Sequence, residues 1–197
     1  MHAIRTATVH DLPGAYRVCL RTGDAGEDAT DRFEDPDLLG HAYVGPYIVG
    51  EPDRALVVQG PEGVAGYCLA AADTRAFEAW CAASWWPVLR QRYPVAEGDS
   101  VDAEIIRLFH APPRASDAVV EAYPAHLHID LLASARGRGL GRRLVERQLA
   151  DLQRAGSPGV HLDVATTNAN AIAFYRHLGF VDVEPLASST IMGLRLG

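Results

Sequence analysis

The chain has 197 residues, of which 48% are hydrophobic, and a formal net charge of −7 at pH 7. This length suits one well-buried domain, so we expect residues 1–197 to form a single domain. The negative charge argues against nucleic acid as the main partner, and the lack of a long apolar run argues against a membrane span and predicts a cytoplasmic protein.

The cysteines indicate free thiols. Cys19, Cys68 and Cys81 are odd in number, widely separated and contain no C-x-x-C pair. This pattern fits neither a disulfide framework nor a zinc site. We therefore expect buried or half-buried thiols and no metal.

The amino-terminal part of the chain mixes regular and irregular segments. A weak apolar alternation predicts a strand over Ile4–Val9, and helical signals follow over Asp11–Cys19. Residues 21–45 are rich in Gly, Asp and Pro, which predicts irregular structure with one or two short helices. Two apolar runs, 55–59 and 64–70, flank a Gly-Pro-Glu-Gly turn and predict a hairpin.

The next stretch is predicted to be helical. Thr74–Arg92 has helical spacing of apolar residues and is expected to stop near Pro87 or Pro94. Val101–Phe109 predicts a second helix, and a short helix is expected before Pro124.

The carboxy-terminal part predicts alternating strands and helices. The segments are a strand at Ala125–Ala133, a helix at Leu140–Leu152, a strand at Val160–Val164, a helix at Asn168–Leu178 closed by Gly179, and strands at Phe180–Val183 and Ile191–Leu196. No internal repeat or linker is visible. The chain therefore predicts one α/β domain.

The run R-G-R-G-L-G at 136–141 is the most informative motif. Its alternate glycines leave backbone N–H groups uncovered, and the helix that begins behind them adds partial positive charge. This predicts a pyrophosphate site. A P-loop would need a lysine, which the chain lacks, and a Rossmann fingerprint would need glycine in place of Arg142.

What remains is R-x-x-G-x-G, and a second pattern follows it downstream. The second pattern comprises Leu162-Asp163-Val164, Asn168, Ala171, Phe174-Tyr175 and Leu178-Gly179-Phe180. Together the two patterns resemble the GNAT superfamily of N-acetyltransferases, closely over 125–184 and loosely over the amino-terminal strand, helix and hairpin. The resemblance implies a GNAT fold, with a central mixed, mostly antiparallel sheet of six to seven strands flanked by helices.

A narrower similarity lies outside those motifs. Segments 22–29, 44–47 and 84–87 resemble the acetyltransferase-like carboxy-terminal domain of eukaryotic O-GlcNAcase. Most GNAT members connect their third and fourth strands by a short turn, whereas a helical insertion at about 73–124 is expected here. We expect this insertion to cover or shape the acceptor site.

The resemblance implies a binding site for acetyl-CoA as co-substrate. Leu131 and Ala133 would offer main-chain groups to the pantetheine arm and the acetyl carbonyl, and amides from Arg136 to Arg142 would hold the pyrophosphate. The predicted cofactor-binding residues are Leu131, Leu132, Ala133, Arg136, Gly137, Arg138, Gly139, Leu140, Gly141, Arg142, Asn168, Ala171 and Phe174.

The resemblance also suggests catalytic residues, each with a structural alternative. Tyr175 matches the family tyrosine that protonates the departing thiolate, or it packs in the core. Asp163 matches a position where some members have a glutamate base, and burial would raise its pKa, or it hydrogen-bonds a loop. Asp24, with Asp28 nearby, would bind the amine or act as base, or it forms an Asp/Gly turn. Asn168 would contact pantetheine or cap a helix.

Three polar residues alternate along the central strand. His126, His128 and Asp130 share one face, which suggests a metal site or a proton relay. The family register instead turns the intervening positions, Leu127 among them, toward the substrate. On that register the three residues form a polar network beneath the helices.

These patterns lead to competing functions. The first is an acetyl-CoA-dependent N-acetyltransferase that acts by direct transfer to an amine on a small molecule or peptide. The second is a non-catalytic acetyl-CoA-binding module for substrate or protein recognition, and a third is transfer of a longer acyl group. The acceptor stays open, as does the choice between a monomer and a homodimer.

Overall fold

The computed structural model describes residues 2–95 and 97–197. Its strands are β1 (Ala3–Thr6), β2 (Ala55–Gly60), β3 (Gly63–Ala71), β4 (Ala125–Leu131), β5 (Gly159–Ala165), β6 (Val181–Pro185) and β7 (Ser189–Arg195). Within the described residues they form one sheet in the order β1-β2-β3-β4-β5-β7-β6, in which only the β4–β5 pair is parallel. The predicted α/β class with a mostly antiparallel sheet is confirmed.

Helices cover both faces of this sheet. They are α1 (Leu12–Leu20), α2 (Leu38–Tyr43), α3 (Gly45–Gly50), α4 (Thr74–Trp80), α5 (Trp86–Arg92), α6 (Val101–His110), α7 (Asp117–Ala122), α8 (Leu140–Arg154) and α9 (Ala169–His177). One core cluster joins α1 to α6 with β2 and β3, and a second joins α8 and α9 with β4 and β5. Because β3 is covered on both faces, its side chains are buried without alternation from Val64 to Ala71.

The parallel pair β4 and β5 is short. Its register includes only Ala125 opposite Val160 and His126 opposite His161. Beyond His126 the two strands have no further pairing, so a gap opens beside the carboxy-terminal half of β4. This gap positions the candidate site.

The helices α4 to α7 form the predicted insertion between β3 and β4. Asp73 caps α4 by accepting the N–H of Ala76, and a π-helical turn at Cys81–Trp85 joins α4 to α5. Pro87 lies in the first turn of α5 and does not end the helix, because the first turn needs no N–H donor there.

Two strand ends and one helix are among the differences from the sequence prediction. β1 ends at Thr6, since the Thr8–Asp11 capping box starts a 3-10 turn. β4 ends at Leu131 and not at Ala133, where another 3-10 turn begins. The helix α3 was not predicted, because its sequence contains two glycines and a proline.

Those two glycines of α3 are needed for close packing. A Cβ at Gly45 would lie 2.4 Å from Trp85 Cζ2, and one at Gly50 would lie 2.7 Å from Trp80 Cε3. Glycine at these positions therefore lets the two indole rings approach the helix backbone. None of the helices in the described ranges combines the length and the apolarity that a bilayer crossing requires.

Candidate functional site

The glycine run adopts a conformation that exposes backbone N–H groups. Gly137 and Gly139 have φ values of 70° and 69°, and Gly139 directly precedes α8. A Cβ at either position would meet no atom within 4 Å. Glycine is therefore favoured here by the backbone conformation and not by lack of space.

Six consecutive amides form the candidate anion site. The N–H groups from Gly137 to Arg142 donate no hydrogen bond to any residue that the structure describes. Three of them belong to the first turn of α8, whose amides have no acceptor within the helix. The helix dipole adds partial positive charge, so these residues fit a pyrophosphate.

We call the amides of 137–142 the cradle. Arg136 links this cradle to the amino-terminal loop by hydrogen bonds. Its Nε donates to the Leu131 carbonyl at 2.8 Å and its Nη2 donates to the Gly26 carbonyl at 2.6 Å. Arg138 Nε donates to the Ser134 carbonyl at 3.2 Å. In this arrangement both guanidinium groups stabilise the loops around the cradle.

The end of β4 brings together several predicted cofactor residues. A Cβ at Gly141 would lie 3.3 Å from Leu131 Cδ1 and 3.6 Å from Phe174 Cζ, so these three residues are neighbours. The N–H of Leu132 donates to the Ala65 carbonyl at 2.9 Å, which leaves that amide unavailable to a ligand.

A small cavity of about 180 Å³ lies between β4 and β5. The predicted residues Asp163, Asn168, Ala171 and Tyr175 line it, together with Asp130. The structure thus brings residues of the downstream motif to the gap between the two strands.

Tyr175 is buried and is a donor at neutral pH. Its hydroxyl has no hydrogen-bond partner among the described residues. Burial raises the pKa of Tyr175, and the charge of Asp130 raises it further. The phenol therefore keeps its proton, as a hydrogen-bond donor or acid requires.

Asp130 is the acidic member of the polar trio. Burial raises its pKa to about 6, although hydrogen bonding by Tyr67 opposes this shift. Tyr67 Oη donates to Asp130 Oδ2 at 2.5 Å. Tyr67 was not predicted from the sequence, because it lies within an apolar run and no local motif marks it.

A larger cavity of about 660 Å³ adjoins the small one and shares Leu127, His128 and Asp163 with it. Its aromatic and polar lining includes Tyr43, Tyr47, Phe77, Trp86, His126, His128, His161 and Asp163. The insertion supplies part of this wall. Two arginines of this wall, Arg75 and Arg114, both pair with Glu78. Asp163 forms no ion pair with any residue that the structure describes.

The orientation expected for the polar trio is wrong for this larger cavity. His126 and His128 line it, whereas Leu127 is the only intervening β4 position that does so. The reason is that α8 packs on the intervening face, where Val145 joins the core around Leu127. Sequence reasoning also missed Tyr47, because α3 was not predicted.

The two predicted acids do not occupy buried positions. Asp163 is exposed, so the expectation that it is buried is wrong. It is the exposed residue between Leu162 and Val164, which are both buried. Asp24 pairs with Arg32 beside a tight turn in which Ala25 and Gly26 have positive φ, and it lines neither cavity.

Asn168 caps α9. Its Oδ1 accepts the N–H of Ala171 at 3.1 Å. The same side chain lines the small cavity, so the capping and ligand-binding interpretations remain compatible.

Residues 118–180 match the model of the acetyltransferase (GNAT) family. The crystal structure of SsHAT is 38% identical, with a TM-score of 0.93 over 100% of this chain and 98% of that chain. Protein O-GlcNAcase from Rattus norvegicus is 25% identical over 94% of this chain, which spans about a fifth (21%) of that protein's length. A putative acetyltransferase from Salmonella typhimurium, solved with its cofactor acetyl-CoA, is 19% identical, with a TM-score of 0.59 over 100% of this chain and 94% of that chain. The chain belongs to the acetyltransferase (GNAT) family.

Proposed function

We propose that this protein is an acetyl-CoA-dependent N-acetyltransferase that moves the acetyl group directly to an amine. One observation carries the proposal. Six amides without described acceptors, Gly137 to Arg142, follow the strand whose edge is open beyond His126. The cradle would bind the pyrophosphate, and the gap beside β4 would hold the acyl arm next to it.

On the donor side, the cradle would hold the pyrophosphate of acetyl-CoA. The main chain near Leu131 and Ala133 would fix the pantetheine arm, and the thioester would lie near the small cavity. A fixed N–H donor at that point would stabilise the oxyanion that develops on the carbonyl oxygen.

The transfer balances with one base and one acid. The neutral amine nitrogen attacks the carbonyl carbon, so that a C–N bond forms and an N–H proton is lost to a base. The C–S bond then breaks, and the departing thiolate takes a proton from the Tyr175 hydroxyl, which recovers a proton from solvent. Holding both reactants in this geometry supplies most of the acceleration.

The larger cavity would hold the acceptor. Leu127, His128 and Asp163 line both cavities, so acetyl donor and acceptor can meet there. The aromatic wall suits an apolar body, and the carboxylate of Asp163 suits an amine that arrives as a cation. Such an amine releases one proton to solvent before its neutral nitrogen attacks. A small amine and the end of a peptide both satisfy this description.

Calorimetry with acetyl-CoA, followed by thiol release against a panel of amines and peptides, tests the proposal. Tyr175→Phe is expected to lower turnover on the order of a hundredfold, because it removes the acid. Tyr123→Phe is the control, since Tyr123 lines neither cavity. Failure of acetyl-CoA to bind would contradict the proposal. Unchanged turnover of Tyr175→Phe would show that Tyr175 is not the acid.

A non-catalytic acetyl-CoA-binding module is the second candidate. The positions of the two predicted acids favour it, because Asp163 is exposed and Asp24 is ion-paired and lines neither cavity. Tight acetyl-CoA binding without turnover across the panel is the result that this candidate predicts.

A further inference from the structure

His128 lies where the two cavities meet. It lines both of them, as do Leu127 and Asp163. Leu127 has no group that exchanges a proton, and Asp163 is exposed to solvent. His128 is thus the partly buried titratable side chain common to both cavities.

A continuous hydrogen-bond chain ends at His128. Thr74 Oγ1 lies 2.7 Å from the Pro124 carbonyl oxygen and 2.8 Å from His126 Nδ1. His126 Nε2 lies 2.7 Å from Tyr47 Oη. Tyr47 Oη lies 2.8 Å from His128 Nε2.

The chemistry of each group fixes the direction of this chain. A carbonyl only accepts, so the single hydroxyl hydrogen of Thr74 goes to Pro124 and the hydroxyl accepts from His126 Nδ1–H. Burial lowers the pKa of His126 well below its ordinary value, so this ring is neutral and its Nε2 accepts. Tyr47 therefore donates to His126.

The last link follows from the same count of hydrogens. Since the one hydroxyl hydrogen of Tyr47 is committed to His126, the phenol oxygen accepts from His128 Nε2–H. Burial, with a contribution from His161, lowers the pKa of His128 to about 4, so this ring is also neutral. The proton-free nitrogen of His128 must then be Nδ1.

That nitrogen has no hydrogen-bond partner among the described residues. We propose that His128 Nδ1 accepts the proton of the acceptor amine, and that Tyr47, His126 and Thr74 hold His128 in the tautomer which this requires. The inference rests on the proposed transferase function. It assigns the base that neither Asp163 nor Asp24 supplies.

The step has a balanced course. As the amine nitrogen bonds to the acetyl carbon, one N–H proton passes to His128 Nδ1, and an imidazolium forms. The ring then returns that proton to solvent through the open cavity. Tyr47 keeps its hydroxyl hydrogen throughout, so it is a positioning residue and not a proton carrier.

The surroundings of His128 are consistent with a neutral base. Tyr43 of α2 and Tyr47 of α3 face it with ring centroids at 6.4 Å and 5.1 Å. His126 faces it at 6.1 Å, and His161 and Asp163 lie on the adjacent strand β5. Asp130, two residues further along the same face of β4, lines the small cavity together with His128.

The tautomers can be measured without any acceptor. In nitrogen-15 histidine spectra of the full chain at neutral pH, His128 is expected to carry its proton on Nε2 and His126 on Nδ1. Tyr47→Phe should release His128 into a mixture of tautomers, whereas Tyr123→Phe should leave it unchanged. A His128 ring protonated on Nδ1 in the wild type would overturn the inference.

Turnover provides the second test. His128→Gln should lower kcat on the order of a hundredfold or more, with the Kd for acetyl-CoA unchanged, because a general base contributes about that factor. Tyr47→Phe should lower kcat less than His128→Gln, with little change in the KM for the amine. His10→Gln, an exposed histidine, is the matched control.

The outcomes separate the two proposals. If His128→Gln turns over as fast as the wild type, the role of His128 is overturned and the transferase proposal stands. Acetyl-CoA binding with no wild-type turnover across the panel would overturn both.

Discussion

The candidate pyrophosphate site and the larger cavity are built in different ways. The cradle is made of backbone amides from one short segment, 137–142, at the start of one helix. The larger cavity is made of side chains that come from α2 to α7 and from β4 to β7. A site made from local backbone can tolerate side-chain changes at a distance, whereas a site assembled from many elements depends on the packing of all of them.

The largest expected effect is a loss of stability, and it tests whether the larger cavity can be disturbed without weakening acetyl-CoA binding at the cradle. Phe109 of α6 is fully buried, and its ring centroid lies 6.0 Å from that of Trp86. Phe109→Ala should destabilise the protein by about 3–5 kcal/mol, since it leaves a cavity behind the acceptor wall. Denaturant unfolding measures this loss, and calorimetry under folding conditions should give an unchanged Kd for acetyl-CoA.

The control is Val88→Ala on the neighbouring helix α5. Val88 is 66% exposed, so we expect a change within about 0.5 kcal/mol. A Kd for acetyl-CoA that weakens in Phe109→Ala would show that the packing of the insertion supports the cradle.

Acid should act on the acceptor side, because its buried histidines are neutral. The pKa of His128 is lowered to about 4, so the unfolded chain binds more protons than the folded protein between about pH 4 and the ordinary histidine pKa of about 6.5. Stability is then lost as pH falls through this window, by about 1.4 kcal/mol per pH unit for each such proton. His126 adds to this loss.

Asp130 has the opposite effect over much of the same window. Its pKa is raised from 3.8 to about 6, so the folded state binds the extra proton and gains stability as pH falls toward 4. Asp130→Asn removes this compensation and should steepen the acid-side loss by about 1.4 kcal/mol per pH unit. Urea unfolding at a series of pH values measures the slope. Wild-type and variant curves should run parallel above pH 7, and parallel curves between pH 4 and 6 would contradict the prediction.

This contrast explains what the sequence could predict. The cradle was predictable because R-G-R-G-L-G, its preceding strand and its following helix are contiguous. Tyr47 and His128 lie 81 positions apart, and no local pattern joins them. The orientation of β4 was also not predictable, since it depends on which face α8 covers.

The cradle itself can be tested by substituting the two glycines that flank α8. Gly139 precedes α8 with φ of 69°, and Gly156 follows it with φ of 82°; a Cβ at either meets no atom within 4 Å. Valine at each position should cost about 1–3 kcal/mol of stability, because both backbones are left-handed. Gly139→Val alone should also weaken acetyl-CoA binding by about tenfold, or about 1.4 kcal/mol, since it disturbs the amides. Equal losses of affinity in the two variants would contradict the assignment of the cradle.

Asn168 gives the smallest expected effect and the sharpest boundary between structural and ligand-binding roles. Its Oδ1 caps α9, while its Nδ2 has no acceptor among the described residues and the side chain lines the small cavity. Asn168→Ala should cost about 1 kcal/mol of stability through the lost cap. Asn168→Ser keeps an oxygen that can accept the Ala171 N–H, so its thermal stability should stay near that of the wild type.

The serine variant nevertheless lacks the amide N–H₂. If that group donates to the bound pantetheine arm, calorimetry should show acetyl-CoA binding weakened by about threefold to tenfold, the value of one ordinary hydrogen bond. A serine variant with wild-type stability and wild-type affinity would mean that Asn168 only caps the helix. A serine variant with weakened affinity and full stability would mean that the Asn168 side chain contacts acetyl-CoA, next to a cradle made of backbone amides.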